Sequence, residues 1–419
     1  MREMKDSGIK WIGNVPASWK LVPIRYLFRE CTTKNRLGQE KTALKFTYGT
    51  IIPKTNFNAN TDDYVANTIM SYTVVHPGVI MINCLNLNYD FVSQRIGLVK
   101  DYGAITSAYL AIEPNSQVLS AYATYQLKSW DAAKAFHNMG TGVRKTLDFS
   151  ELGKKHFVLP TLGEQKNIVE FLDSQCSEID AISADIQKEI ETLEQYKRSV
   201  ITEAVTKGLN PDAEMKDSGV PWIGKMPANW TCIKGKYILK YMQKPVKPDD
   251  GVITCFRDGE VTLRSNRRED GFTMADKEIG YQGIDVGDLV VHGMDGFAGA
   301  IGISDSRGKA SPVLNVLDSR QNKKYIMYYL RSMAYGDVFV ALATGIRVRS
   351  CDLRWNKLSV LLYPVPPLEE QTEIVQYIED TLNKVDGVIS EKKQQLEVLD
   401  SYKKSLIYEY VTGKKEVSA

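Results

Sequence analysis

Two stretches of the chain repeat apolar residues every seven positions. Ile182 and Tyr196 fall between the apolar residues of the first stretch, as in the a/d seam of a coiled coil, and Lys392 interrupts the second. Each stretch is long enough for a helix of about 42 residues, or about 63 Å. The pattern predicts two long helices that pack on each other, although two unrelated amphipathic helices on separate domains would show it too. The heptad positions of the two stretches hold Leu172, Ile179, Ile186, Leu193 and Val200, and Ile378, Val385, Leu399 and Leu406.

The remainder of the chain contains short apolar runs between glycine, proline and aspartate turns. Runs at 79–82 and 289–291 are typical of short buried strands. Longer patterns predict helices at about 119–138 and 321–335. We therefore expect a sheet-rich α+β or mixed α/β protein.

The chain is internally duplicated. Residues 4–19 recur as residues 215–230 with eleven identities, and the stretch from Pro160 to Thr206 recurs from Pro366 to Thr412. The interiors, roughly 45–140 and 250–343, show no alignment. The repeat predicts two equivalent supports that carry two different binding regions. The bounds that we expect are domains at 1–159 and 215–365, long helices at 160–207 and 366–412, a linker at 208–214 and a tail at 413–419.

The net charge of +2 conceals an uneven distribution over the 419 residues. Residues 1–150 and 215–357 each carry a net charge of +6, whereas 151–214 carry −6 and 358–419 carry −4. A basic globular domain is typical of proteins that bind a polyanion such as nucleic acid, although a modest excess is also common on ordinary surfaces. No apolar run is long enough to span a membrane and no signal sequence is evident, so we expect a cytoplasmic protein.

No catalytic motif is recognisable in the sequence. The six cysteines are widely spaced and only four histidines are present, which argues against a zinc site and, in a cytosolic chain, against disulfides. Residues 212–216 resemble a nuclease motif only superficially, and residues 140–146 have Arg144 where a phosphate-binding loop needs glycine. The sequence therefore favours binding over catalysis, with no metal site and no cofactor in this chain.

Basic and amide side chains, interleaved with aromatic residues, lie in the two divergent interiors. Arginine can pair with guanine and asparagine with adenine in the major groove, whereas lysine more often contacts phosphates. A glycine turn followed by arginine recurs at 141–144 and 344–347, as a shared phosphate or register contact would require. An ordinary solvated loop remains the alternative for each residue. The DNA-binding candidates are Lys54, Asn56, Asn58, Asn86, Asn88, Tyr89, Arg95, Arg144, Lys145, Arg257, Arg264, Asn266, Arg267, Arg268, Arg347 and Arg349.

The order of motifs resembles the specificity subunits of type I restriction-modification systems over nearly the whole chain. An opening Trp-Ile-Gly-x-x-Pro-x-x-Trp is followed by a variable region, Gly-x-Arg, a Leu-Pro-x-Leu-x-Glu-Gln element at 159–165, and a long helix with Tyr-Lys-x-Ser-Val-Ile at 196–201. The whole order then occurs a second time, with small departures such as Pro366-Pro367 and three extra residues before that element. No single motif is diagnostic, but the repeated order is specific.

The resemblance implies two pseudo-symmetric target-recognition domains separated by two long helices that form an antiparallel coiled coil. Each domain would read one half of a bipartite target in double-stranded DNA, and the helices would set the gap. The implied partners are two DNA methyltransferase subunits, which the helices would dock, and restriction/translocase subunits. S-adenosylmethionine, ATP and magnesium would belong to those subunits. The rival hypotheses are a two-headed protein-binding adaptor without DNA reading, and a self-contained DNA methyltransferase or nuclease.

Overall fold

The structure is a computed structural model that describes residues 2–55, 63–87, 94–140, 145–267, 279–342 and 353–417. It divides into two compact units. The first unit comprises residues 1–186 and 394–419, and the second comprises residues 187–393. Each unit contains one α+β module and one portion of each long helix, which agrees with the expected mixed fold class.

The first module contains a four-stranded antiparallel sheet. Its strand order is Phe28–Glu30, Leu110–Pro114, Ile80–Ile82 and Ile96–Leu98. The paired strands beside this sheet are Met4–Asp6 with Asn14–Pro16, Lys20–Pro23 with His156–Leu159, Leu44–Thr47 with Thr50–Pro53, and Thr73–Val75 with Gly103–Ile105. The α-helices of the module are Asp63–Met70, Ser120–Ala132 and Phe149–Leu152, and its 3-10 turns are Ile24–Tyr26 and Ala135–Asn138.

The second module has the same sheet topology, although its interior sequence does not align with the first. Its sheet order is Leu239–Met242, Leu314–Ser319, Leu289–His292 and Ile301–Ile303. The other pairs are Met215–Asp217 with Lys225–Pro227, Thr231–Lys234 with Leu362–Val365, Ile253–Cys255 with Val261–Leu263, and Gln282–Ile284 with Gly308–Ala310. The α-helices are Gly235–Ile238, Lys323–Tyr335, Val338–Ala341 and Trp355–Leu358, and the 3-10 turns are Arg264–Asn266 and Gly296–Ala298.

The helices Ser120–Ala132 and Lys323–Tyr335, which we call the module helices, confirm the two shorter helices predicted from the sequence. The predicted buried runs are also strands, at Ile80–Ile82 and Leu289–His292. We call the duplicated segments, residues 4–19 with 160–206 and residues 215–230 with 366–412, the frame. Each module helix packs into a large apolar core that includes a tryptophan of this frame, Trp19 or Trp230. Each buried aromatic or aliphatic side chain of such a core contributes about 1.5–3 kcal/mol, so the modules have ample cores.

The two long helices extend over Leu162–Lys207 and Leu368–Val411. Their portions run antiparallel in each unit, as two contacts in each show. In the first unit Lys403 Nζ lies 2.6 Å from Asp180 Oδ1, and the rings of Phe171 and Tyr410 are in contact. In the second unit Lys197 Nζ lies 2.6 Å from Asp386 Oδ1, and Lys392 Nζ lies 2.5 Å from Glu189 Oε2. In the repeat, each residue of the first long helix corresponds to the residue 206 positions later in the second. This shift of 206 relates Asp180 to Asp386 and Lys197 to Lys403, so the same ion pair occurs twice, once in each unit.

Most heptad positions of the long helices are buried. Leu193 and Leu399 are half-buried, whereas the buried ones are Leu172, Ile179, Ile186, Val200, Ile378, Val385 and Leu406. The interleaved positions were predicted incorrectly, because Ile182 and Tyr196 are exposed. The buried stripe instead advances by four residues from a heptad position, to Cys176, Ile190 and Ala204. The buried residues are therefore still spaced by four and three, as in an a/d seam, with the heptad residues at one seam position and the residues four further on at the other.

Candidate nucleic-acid interface

The duplicated tryptophans anchor the start of each module to a long helix. Trp19 Nε1 donates to Glu164 Oε1 at 2.9 Å, and Trp230 Nε1 donates to Glu370 Oε1 at 2.9 Å. Burial alone would raise the pKa of Glu164, but hydrogen bonds from Trp19, Thr161 and Arg2 outweigh it and lower the pKa to about 2. These tryptophans therefore have a structural role, as buried indoles with a hydrogen-bond partner commonly do.

The glutamine of each Glu-Gln element connects a long helix to the start of a module helix. Gln165 is fully buried, and its Oε1 accepts from the backbone N–H of Leu119 at 2.8 Å. Gln371 is equally buried, and its Oε1 accepts from the N–H of Asn322 at 2.9 Å. A buried amide is costly unless it is hydrogen-bonded, so each glutamine fixes the position of its module helix.

A tyrosine on each module helix reaches the end of a long helix. Tyr122 Oη lies 3.1 Å from the carbonyl oxygen of Val411, and Tyr325 Oη lies 3.1 Å from that of Val205. The shift of 206 relates these two valines. Each module is thus held by three equivalent contacts to the long helices, although the interiors of the two modules do not align.

In the second module three candidate arginines line one cavity. Arg257, Arg264 and Arg267 surround a volume of about 560 Å³ together with Phe256 and the end of the strand Leu289–His292. The Arg267 guanidinium lies 4.2 Å from the centre of the Phe256 ring. The cavity combines cationic guanidinium groups with an aromatic ring, and both kinds of group can bind nucleic-acid bases or phosphates.

Carboxylates hold two of these arginines in position. Arg267 pairs with Asp258 at 2.6 Å and with Glu260 at 3.0 Å, and Arg257 pairs with Asp295 at 3.0 Å. Solvent screens such exposed pairs, so an incoming phosphate or base can replace them at little cost. The fourth candidate of this group, Asn266, is exposed and donates to Thr262 Oγ1 at 2.9 Å.

Sequence reasoning missed His292, which lines the same cavity. Its Nδ1 accepts from the backbone N–H groups of Met294 and Asp295 at 3.2 and 2.9 Å, so the proton of the neutral ring is on Nε2. Burial lowers the pKa of His292, which favours the neutral ring. The imidazole is therefore a hydrogen-bond donor of fixed tautomer. The only sequence signal was its place at the end of a buried strand, directly before Gly293.

In the first module the described candidates lie in different surroundings. Lys54 Nζ lies 3.2 Å from Tyr72 Oη. Arg95 is buried, and its guanidinium donates to the carbonyl oxygens of Asn83, Leu85 and Asn86. Arg95 is thus positioned to hold the loop that presents the exposed Asn86, rather than to meet a base itself.

Lys145 is half-buried, and its carbonyl oxygen accepts from the N–H of Leu87 at 3.2 Å. It closes the far side of the loop that Arg95 organises. Contacts of one loop therefore connect Asn86, Arg95 and Lys145, whereas Lys54 contacts Tyr72. The candidates that lie outside the described residues are Asn56, Asn58, Asn88, Tyr89, Arg144, Arg268, Arg347 and Arg349.

Comparison with known proteins finds similar chains in type I restriction systems. No family model matches the chain. The chain is 25% identical over 333 residues to the type I restriction enzyme MjaVIII specificity subunit of Methanocaldococcus jannaschii, covering 74% of each chain. It is 23% identical over 435 residues to the putative MjaX specificity subunit of the same organism, covering 96% of this chain and 95% of the relative.

The fold is also similar to a solved structure. A chain from a structural study of the assembly and conformational transition of the type I R-M system superposes with a TM-score of 0.67 at 13% identity, covering 96% of this chain and 99% of that chain. At this identity the likeness concerns the fold alone.

The repeated frame and the two divergent modules define a two-module recognition protein. The similarity in sequence extends across both modules and both long helices. Over nearly its whole length the chain is similar in sequence to specificity subunits of type I restriction-modification systems. Within the described part of the chain, no helix is long and apolar enough to cross a membrane, and no cluster of three or more His, Cys, Asp or Glu residues could hold a metal ion.

Proposed function

We propose that this chain is the sequence-specific DNA-binding subunit of a type I restriction-modification complex, in which each module reads one half of a bipartite target. The proposed recognition domains span residues 1–159 and 215–365. The observation that carries the proposal is that identical frame contacts support two modules whose interiors differ. Equivalent frame contacts with different module interiors would suit a ligand that has two different halves separated by a fixed gap. In this proposal the two long helices set the gap.

The second half-site would be read at the arginine cavity. Arginine can donate two hydrogen bonds to guanine O6 and N7, and each such pair discriminates against a wrong base by about 1–3 kcal/mol. Arg264 and Arg257 are the proposed base-reading residues, and His292 offers an additional donor from Nε2–H. In the first module, Asn86 and Lys145 are the proposed contacts among the described candidates.

The long helices are proposed to dock two methyltransferase subunits. The exposed Ile182 and Tyr402 lie at nearly the same level of the first unit's helix pair, as judged from the contact between Asp180 and Lys403. The shift of 206 relates them to two further exposed residues, Val388 and Tyr196, in the second unit. Exposed apolar side chains on helices with an acidic charge balance suit a protein partner and not DNA.

This division of labour assigns no chemistry to the chain itself. Methylation, ATP-driven translocation and cleavage would belong to the methyltransferase and restriction/translocase subunits, which would also bind S-adenosylmethionine, ATP and magnesium. The sequence contains no assembled nucleophile, phosphate-binding loop or methyltransferase motif that would contradict this assignment.

The test is single-molecule methylation sequencing of DNA from cells that express this chain together with its methyltransferase subunit. Cells that lack the gene for this chain, but contain an active methyltransferase subunit, are the control. We expect a methylated motif of two short blocks around a fixed unspecified gap, present only with this chain. An unchanged methylation pattern would refute DNA reading and favour the protein-binding adaptor.

A further inference from the structure

An exposed tyrosine is retained in both modules where its neighbours are not. Residues 20–30 and 231–241 follow the two frame tryptophans and share one identity, Tyr26 with Tyr237. Tyr26 is 63% exposed and Tyr237 is 73% exposed. Buried Ile24 is replaced by Gly235 in the second copy, so the core of this segment has changed while the exposed ring has not. Folding alone gives no reason for that retention.

Each tyrosine lies on a short helical turn that is fastened to the rest of its module. In the first module the N–H groups of Ile24 and Arg25 donate to the carbonyl oxygens of Lys155 and Gly153 at 2.9 and 3.1 Å. In the second module the N–H groups of Gly235 and Lys236 donate to those of Leu361 and Ser359 at 2.9 and 2.8 Å. The backbone that presents the ring is thus fixed in the same way twice, which lowers the entropic cost of binding a ligand there.

The residue before each tyrosine in the sequence is a cation, and its charged group lies over the tyrosine ring. The Arg25 guanidinium lies 5.1 Å from the centre of the Tyr26 ring, and Lys236 Nζ lies 4.9 Å from that of Tyr237. Both cations are exposed. The segment fastened to the first turn adds Lys154, which pairs with Glu151 at 2.5 Å, and the half-buried Lys155.

The second copy has a similar charge pattern from different residues. Lys234 lies directly before the turn, and Lys357 lies two residues before the fastened Ser359; both are exposed. In the first copy, the position of Lys357 is occupied by Glu151, by the shift of 206. Both turns therefore have a basic surface, and the tyrosine and its preceding cation are shared within the turn itself.

We propose that Arg25-Tyr26 and Lys236-Tyr237 are matched contacts to the sugar-phosphate backbone of DNA, one on each module. This inference rests on the proposed function. A contact that is matched on both modules favours a ligand group that both half-sites share over a base that only one of them contains. The phosphodiester backbone is the same at every sequence, and both a tyrosine hydroxyl and a basic side chain are common donors to it. The basic surroundings favour this polyanion over a protein partner, for which the acidic helices already carry exposed apolar residues.

The experiment measures DNA binding against salt concentration, using the chain in complex with its methyltransferase subunits and fluorescent duplexes with and without the methylated motif. Arg25→Ala combined with Lys236→Ala should lower the slope of log K against log salt by about 1.8, because each lost phosphate contact removes about 0.9. Tyr26→Phe and Tyr237→Phe should each weaken binding about tenfold. Both duplexes should be affected by the same factor, so the preference for the motif stays unchanged.

Lys166→Ala is the matched control, since Lys166 is also exposed and paired but lies on a long helix. It should leave the slope unchanged. Circular dichroism checks that all variants are folded. A slope that stays at the wild-type value in the double variant would overturn the inference, and loss of methyltransferase association with normal DNA binding would identify a protein contact instead. If the wild-type complex itself shows no motif preference and no salt dependence, the proposed function fails, which is a distinguishable result.

Discussion

The carboxylate of Glu164 offers a test of the frame that depends on pH. It accepts hydrogen bonds from Trp19 and from Thr161, and it pairs with Arg2. Its pKa is lowered from 4.5 to about 2 in the folded protein. This difference corresponds to about 3 kcal/mol of added stability for the ionised form, and to roughly 2 kcal/mol once solvent screening of a side chain that is 31% exposed is allowed for.

The sign follows from the direction of the shift. A carboxyl whose folded-state pKa is lowered contributes its full stability above its unfolded-state pKa, here about 4.5, and loses it as the pH falls towards 2. Glu164→Gln should therefore reduce the free energy of unfolding by about 2 kcal/mol at pH 7. The difference from the wild type should shrink to less than half of that value at pH 3.

The assay is urea denaturation of both proteins at pH 7 and pH 3, followed by far-UV circular dichroism. Other carboxyl groups titrate in both proteins, so their effects cancel in the difference. Glu170→Gln is the control, because Glu170 is exposed and makes only an i,i+4 pair with Lys166, which contributes a few tenths of a kcal/mol. A Glu164→Gln difference that is equal at the two pH values would refute the reasoning.

Three further predictions address the tyrosine contacts between modules and long helices, the arginine cavity, and the proposed docking surface for methyltransferase subunits. Tyr122→Phe should lower the free energy of unfolding by about 1–3 kcal/mol, because buried carbonyl oxygens lose a donor, and Tyr325→Phe should have an effect of the same size in denaturation experiments. Arg264→Ala should reduce the discrimination between bases at one position of one half-site by about 1–3 kcal/mol. Methylation sequencing would show this as a degenerate position in that block, with the other block intact. Ile182→Ser combined with Tyr402→Ser should reduce the complex by one methyltransferase copy in mass photometry, whereas two bound copies would contradict the proposed docking site.

The long helices could be predicted from the sequence because a heptad pattern persists over many turns. The second seam position could not be predicted in the same way, because apolar residues lie both three and four positions after a heptad residue. Ile182 and Tyr196 lie three positions after one, yet the buried residues are Cys176 and Ile190, which lie four positions after one. Both choices fit an a/d pattern, and only the packed helices show which of the two faces is buried.

The sheets were predictable as a class but not in their order. Many of their strands are only three residues long, too short for an alternating pattern, and sheet neighbours such as Leu110–Pro114 and Ile80–Ile82 are far apart in sequence. Site residues were predicted by type rather than by surroundings. Arg95 has the same chemistry as Arg264 in the sequence, but it is buried beneath a loop, and this difference arises only from tertiary packing.

The second unit has two separate hydrophobic clusters, which explains how the proposed DNA-reading surfaces can differ while the frame is preserved. In the second unit the cluster around Ile253, Val261 and Val290 is distinct from the cluster that includes Trp230. The arginine cavity borders the former through Ile253 and Leu314. Side-chain changes at sites that share no contacts have nearly additive effects on stability. Substitutions in the cluster around Ile253 therefore need not disturb the hydrogen bonds from Trp230 and Tyr325 to the long helices. The proposed DNA-reading surface can thus change while the frame contacts stay the same.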